Sequence, residues 1–437
     1  MNETAKLHAQ TRTYQATERT EQNDAAIKLF HQATGIGFYE QFPAEEKFAE
    51  VLTLTYAQRM RVSMVFDLAA PSASRHAAHP VHTYGTFPGS LNAGGNSLVP
   101  VHKITAVTVA PSYRRRGLLT EQITADLHYA QEAGYPLAAL SASEATIYGR
   151  YGFEPATYQT RFKLKCAQGL KLRVKIPGQV VEIDPALFEE EFADLADRAM
   201  KATFGSIDSS AFDDGYALGR WDSWETMDKP KNLRFAAYYD AGGTLGGFVT
   251  YKFAGWDQPT EKLVVHKLIA TSDSARFKLF EYLGNHDLIK EVHGQGPLAD
   301  PLRQVLANVR DYEVRSVDDA LWLRVLNVVD AFQARQYLRN AKVVLSIRDR
   351  LNLISGDYLF EVSDGSAHIA QISSDSNLPD LPQVCLDERD LAGLYLGTLS
   401  LQQLLASDRA ELAGREASAE ALQMFDVVNE AFTPHSF

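Results

Sequence analysis

Between positions 107 and 153 the chain carries residues suited to gripping a phosphate and moving a proton. Arg114, Arg115, Arg116 and Gly117 stand together directly after an apolar, β-branched run over 101–109 and Pro111. Leu119, Ile123, Leu127 and Ala130 then follow at helical spacing, and Gly134 supplies a stop. The basic glycine turn therefore opens a helix. The first amides of a helix have no partners within it and carry partial positive charge. A phosphate settles there, glycine lets the backbone approach it closely, and arginines add forked donors. Solvated surface arginines would look the same in isolation, so the reading needs the second half of the segment.

That second half supplies a buried strand over 137–140, Ser143 as the expected N-cap of a short helix, and Tyr148 on that helix. Strand, phosphate turn, helix, strand and tyrosine form a βαβ unit with its chemistry at the carboxyl ends of the strands. A tyrosine phenol ionises near pH 10, so Tyr148 is placed there as a candidate proton donor.

The string V-T-V-A-P-S-Y-R-R-R-G-L-L, then S-A-S-E, then I-Y-G-R-Y-G-F resembles the core of GCN5-related N-acetyltransferases, and within them the enhanced intracellular survival (Eis) family. The generic phosphate loop of the wider family has glycine or alanine where this chain has Leu119; the Eis branch tolerates leucine there. The resemblance implies acetyl-CoA as co-substrate and no metal. Arg114, Arg115, Arg116, Gly117 and Leu118 would cradle the pyrophosphate. Val107 and Val109 would pair with the pantetheine arm, Tyr148 would act as general acid, and Ser143 and Glu144 would line the cleft. The chain reads to Phe437, an aromatic residue shortly after Pro434, which suits an anchored tail rather than a loose one. In the Eis family a terminal phenylalanine carboxylate serves as general base, and Phe437 matches that position. Ser436 stands where an acidic residue is also known in that family.

Composition agrees with a large enzyme. The 437 residues are 45% hydrophobic, enough for more than one core. No apolar run approaches the roughly 18–20 residues of a membrane span. The polar start M-N-E-T-A-K-L-H lacks a signal peptide's apolar centre, and Cys166 and Cys385 are far apart, so the cytoplasm is the expected compartment. A net charge of −12 argues against nucleic acid as a partner and suits a cationic one.

We divide the chain into 1–162, 163–325 and 326–437. The second part echoes the first: His102-Lys103-Ile104 recurs as His266-Lys267-Leu268, 164 positions on, before another helical stretch from 274 to 284. Thr271-Ser272-Asp273 replaces the arginines there and would repel phosphate. The third part offers a helix over 328–337, a strand over 342–349, a hairpin about Asp364-Gly365, Asp387 as a helix N-cap, and a closing helix over 418–429. The resemblance implies an α/β (α+β) fold: two tandem acetyltransferase-like domains, the second degenerate, then a sterol-carrier-protein-like domain, assembled as a hexamer. The expected activity is acetyl transfer to a small cationic amine, either aminoglycoside-like or a polyamine, or to a protein lysine. The competing reading is a non-catalytic CoA-binding scaffold whose last domain binds a lipid or a protein.

Overall fold

The computed structural model describes residues 8–41, 43–95, 97–224, 226–373 and 381–437. Three sheets organise these residues. The first has seven strands in the order Ala9–Gln15, Arg61–Asp67, His82–Asn92, Leu98–Val109, Leu137–Leu140, Trp322–Val325 and Glu154–Pro155. The second repeats that order as Gln179–Glu182, Leu233–Tyr239, Leu245–Phe253, Lys262–Ala270, Glu291–Gly296, Tyr158–Lys165 and Tyr312–Asp319.

The sixth strand of each sheet comes from the other half of the chain. Trp322–Val325 pairs antiparallel with Leu137–Leu140, and Tyr158–Lys165 pairs antiparallel with Glu291–Gly296. The cut expected at 162 therefore falls within a strand, whereas the one expected at 325 falls at a strand's end. Phe162 lies inside a strand of the second sheet, and Val325 closes a strand of the first. An internal parallel strand must bury both faces, and each half obtains its outer neighbour from its twin.

In both sheets the central strands run parallel for one short stretch and then part. The first ladder pairs Val101 to Ile104 with Leu137 to Leu140, and the second pairs Lys262 to Val264 with Glu291 to His293. A bulge follows each, between Thr105 and Thr108 in the first sheet and at His266 in the second. The ladders end at Ile104 and Val264, which sets the repeat at 160 positions (104 to 264). The histidine–lysine echo lies in matching strands but four positions out of that register.

Leu137–Leu140 is wholly buried, and its alternation divides two cores. Leu137 and Ala139 join Val343, Leu345, Phe360 and Leu386 of the last domain in one core. Ala138 and Leu140 join Ile123, Leu127 and Ala130 of the helix Leu118–Glu132, together with Tyr148. The last domain is a five-stranded sheet with the hairpin Gly356–Ser363 and Ser366–Ile372 turning through Asp364 (φ 49°) and Gly365 (φ 80°). Two expectations there are corrected. The helix after Asp387 begins at Asp390, because Asp387 ends a strand and pairs with Arg348. The closing helix is one turn, Ala419–Leu422, because the chain then dips to bury Met424 and Phe425 completely.

No helix among the described residues is long and apolar enough to cross a membrane. Cys166 and Cys385 are free thiols.

Candidate active site

The helix Leu118–Glu132 starts on Gly117 (φ 84°), which offers no side-chain cap. Its first amides are therefore left for an external acceptor. A side chain at Gly117 would meet open space, so it is the left-handed backbone that favours glycine there. Arg114, Arg115 and Arg116 are exposed around this helix end. Arg114 Nε donates to the Val109 carbonyl at 3.3 Å, and the Arg116 guanidinium lies 5.0 Å over the Tyr113 ring. The corresponding turn of the second sheet is closed to anions: Ser272 Oγ accepts from the Ala275 amide at 3.2 Å, and Asp273 brings negative charge to the first turn.

A buried carboxylate holds this helix against its sheet. Asp126 accepts from Tyr84 Oη (3.0 Å), His102 Nε2 (2.8 Å) and Arg61 Nη1 (3.1 Å). An aspartate inside an amphipathic pattern gave no sign of this role.

Beyond Ile104 the parallel ladder ends, so the splayed stretch through Val107 and Val109 faces the gap between strands. Val107 lines a cavity of about 560 Å³, together with Ser141, Ser143 and Tyr148. Ser143 is corrected as a helix cap. Glu144 takes that place, in extended backbone, with Oε1 accepting from the Thr146 amide at 3.4 Å and its hydroxyl at 2.8 Å. Ser143 is thereby left facing the cavity, while the Glu144 carboxylate is engaged within its own turn.

Tyr148 is 6% exposed, and burial first, then neighbouring Tyr151, push its phenol from the usual 10.0 up to about 12. It is a weaker acid than the sequence suggested and stays protonated throughout the neutral range. Its turn is held from two sides. Tyr151 Oη shares a hydrogen bond with Thr120 Oγ1 at 2.8 Å. Gly152 (φ 81°) presses on the buried Arg324, where an added side chain would sit 2.6 Å from Nη1. Arg324 in turn pairs with Asp349 of the last domain at 2.6 Å, both fully buried.

The same cavity is lined by Ser436 and Phe437. The tail leading there is anchored. Phe432 donates to the Phe204 carbonyl (3.0 Å), Thr433 Oγ1 accepts from the Ile207 amide (3.3 Å), and His435 Nδ1 pairs with Asp213 Oδ2 (2.7 Å). Lys267 Nζ donates to the Pro434 carbonyl at 2.7 Å. The Phe437 ring stands edge-on to Phe87, with Lys103 Nζ 5.3 Å from its centre. Thus Tyr148, Phe437, Val107 and Ser143 meet at one cavity, with the arginine turn at the end of the adjoining strand.

The rest of the cavity comes from residues that carried no signal in the sequence. The helix Ala211–Ala217 and the stretch 221–224 supply Phe212, Asp213, Tyr216, Trp221, Asp222 and Trp224. His31 also lines it. Burial pushes its imidazole down to about 4, and its Nε2 bonds to Thr55 Oγ1 at 2.9 Å. Because that hydroxyl donates to Val51, His31 Nε2 must be the donor to it.

The acetyltransferase (GNAT) domain family matches residues 80–156 and again 217–325, and the sterol carrier protein domain family matches 328–435. An uncharacterized N-acetyltransferase of Streptomyces avermitilis is 33% identical over 361 residues, covering 78% of this chain and 82% of that protein. N-acetyltransferase Eis of Mycobacterium tuberculosis H37Ra is 28% identical over 335 residues, covering 73% and 76%. The crystal structure of Eis1 from Mycobacterium abscessus shares the fold, with a TM-score of 0.74 and 23% identity over 98% of this chain and 100% of that one. The phosphate-competent helix end, the tyrosine on its cavity, the paired sheets and these relatives agree: the chain belongs to the Eis-like family of GCN5-related N-acetyltransferases.

Proposed function

We propose that this chain moves the acetyl group of acetyl-CoA onto an amine of a cationic substrate, the class that includes aminoglycosides, polyamines and lysine side chains. The single observation that carries the reading is the meeting of Tyr148 and the anchored Phe437 on one cavity beside an uncapped, arginine-flanked helix end.

Acetyl-CoA supplies the acyl group as a thioester. The Gly117 helix end with Arg114, Arg115, Arg116 and the Leu118 amide would hold the pyrophosphate, and the backbone at Val107 and Val109 would hold the pantetheine arm. Fit is supported by the uncapped amides, the open space at Gly117 and the splayed strand. The acceptor nitrogen forms the new C–N bond as the C–S bond breaks. The Phe437 carboxylate, at the end of the anchored tail, takes the proton released from nitrogen. Tyr148 gives its proton to sulfur. Ser143 orients groups on the cofactor side. Glu144, engaged with Thr146, contributes by shaping the turn.

The family resemblance further supports a homohexamer in the cytoplasm, to be checked by light scattering and cell fractionation. The test of function is CoA release from acetyl-CoA across a panel of amines, using protein without an added C-terminal tag. Amine-dependent release supports the reading. Tight CoA binding with no release on any amine would replace it with a CoA-binding scaffold.

A further inference from the structure

The repeated histidine–lysine pair ends on one object. Lys103 and Lys267 are out of register between the two sheets, yet both reach the last residues of the chain. Lys267 holds backbone there, through the Pro434 carbonyl. Lys103 meets the last side chain. Its Nζ lies 5.3 Å from the centre of the Phe437 ring and 5.2 Å from that of Phe87, and the two rings stand edge to face, 5.8 Å apart. Aromatic faces attract an ammonium, the more so out of water, and Lys103 is 1% exposed.

The lysine is itself fixed. Nζ donates to Asp208 Oδ1 at 2.7 Å and to the Asp208 carbonyl at 2.8 Å. The Ser90 amide donates to the same Oδ1 at 2.8 Å, and the Asp208 amide donates to the Ser90 carbonyl at 3.0 Å. Gly89 makes the room, since a side chain there would begin 2.0 Å from Lys103 Cε. Ile207, the residue before Asp208, gives its amide to Thr433 of the tail. A plain ion pair would not need this setting. The Asp208 side chain is 41% exposed, so the pair could form at the surface with less desolvation. Instead the ammonium is buried against two rings, one of them the end of the chain.

We infer that Lys103 is a positioning residue, whose ammonium holds the Phe437 ring so that the terminal carboxylate stays at the cavity that Phe437 lines. The inference rests on the acetyl-transfer reading above and goes beyond it by naming what holds the base. It also gives the ring a task of its own: a terminal carboxylate on another residue would lack this hold.

The test uses the full, untagged chain as Lys103→Met, Phe437→Leu and the double variant. Release of Phe437 by carboxypeptidase tracks how often the tail is open. Lys103→Met should speed it roughly tenfold or more, the factor expected for a desolvated cation over a ring. In both single variants kcat should fall roughly tenfold while KM for acetyl-CoA holds, although each still ends in a carboxylate. The double variant should be no slower than the slower single one, because both remove the same contact. Phe437→Leu alters only the last residue, so it reports even where Lys103→Met does not fold. Parental release or parental kcat in Lys103→Met, parental kcat in Phe437→Leu, or losses that multiply in the double variant overturn the inference and leave acetyl transfer standing. If the parent turns over no amine, the transfer reading fails, and the release rate alone decides whether Lys103 holds the ring.

Discussion

Lys267 Nζ lies 2.6 and 2.7 Å from the two carboxylate oxygens of Asp213, and both side chains are buried. Burial by itself would push the Asp213 carboxyl up. Lys267, and after it His435, outweigh that and hold it below its ordinary value. The same ammonium donates to the Pro434 carbonyl. One ion pair of the degenerate second domain thus fixes the last residues against the cavity that Tyr148 lines. A domain without a phosphate turn keeps a mechanical task.

Lys267→Met should leave Asp213 buried and short of a counter-charge. Breaking such a pair from one side costs about 3–5 kcal/mol, whereas replacing both partners with apolar groups costs far less. Urea unfolding of Lys267→Met against Lys267→Met/Asp213→Leu should show that order. Hydrogen exchange at residues 431–437 should rise in the single variant. A single-variant loss below about 1 kcal/mol, the scale of an exposed pair, would mean the cluster is not a clamp.

Much of this arrangement is local, and local features were legible. The arginine–glycine turn, its helix and the short buried strand follow from residues within about fifty positions of one another. The exchanged strands were not legible, because the whole second sheet lies in sequence between Leu137–Leu140 and Trp322–Val325, and the four residues of the latter say nothing about a partner. The cap at Glu144 in place of Ser143 was a contest between neighbours. Both can accept a hydrogen bond, and the backbone settled it by turning helical one residue later. The aromatic residues over 212–224 that line the cavity carried no signal in the sequence, since the same residue types serve core packing. Lys267 was noticed as part of an echo, but its pairing with Asp213, across 54 positions, left no periodic trace.

Tyr148→Phe should lower kcat roughly 10²–10⁴-fold, the range for losing one acid–base group. KM for acetyl-CoA should hold, because the ring stays in place. The pH profile adds a sharper check. In the proposed mechanism the tyrosine works in its protonated form, and burial moves its ionisation up to about 12. The rate should therefore show no downturn from Tyr148 between pH 8 and roughly 10.5, where an ordinary phenol would already be losing its proton. A basic limb near pH 10 that vanishes in the phenylalanine variant would place the phenol in water and contradict the buried geometry.

Replacing Arg114 and Arg115 together with alanine should weaken acetyl-CoA binding by roughly 2–4 kcal/mol, if each charged hydrogen bond is worth about 1.5–3 and the losses are not additive. Both side chains are exposed, so the unfolding midpoint should barely move. Arg116→Ala should act more mildly on binding, because that guanidinium is already stacked on Tyr113. Calorimetric titration of the variants with CoA reads the two binding effects, and urea unfolding reads the midpoint. Parental affinity in the double variant would remove the turn from cofactor binding.

Stability toward acid should report His31. Its imidazole is buried and pushed down to about 4, so in the folded chain it stays neutral well below its ordinary value of 6.5. The unfolded chain binds a proton on it from pH 6.5 downward. Between pH 6.5 and 4 the unfolded state therefore holds more protons, and stability must fall as pH falls through that window. Below pH 4 the folded form protonates too, and the contribution levels off. The full span is worth roughly 3 kcal/mol, from a shift of about two and a half pH units. His31→Gln removes the titration and keeps a donor for Thr55, so its stability should change less steeply over the same window. Some slope should persist, because His266 is likewise pushed down to about 4, by burial and then by Lys252 and Lys267. Urea midpoints of the parent and His31→Gln at pH 7, 6, 5 and 4.5 give the comparison. Parallel curves would mean that His31 takes up its proton at an ordinary pH, and that the cavity floor on which it sits is open to water.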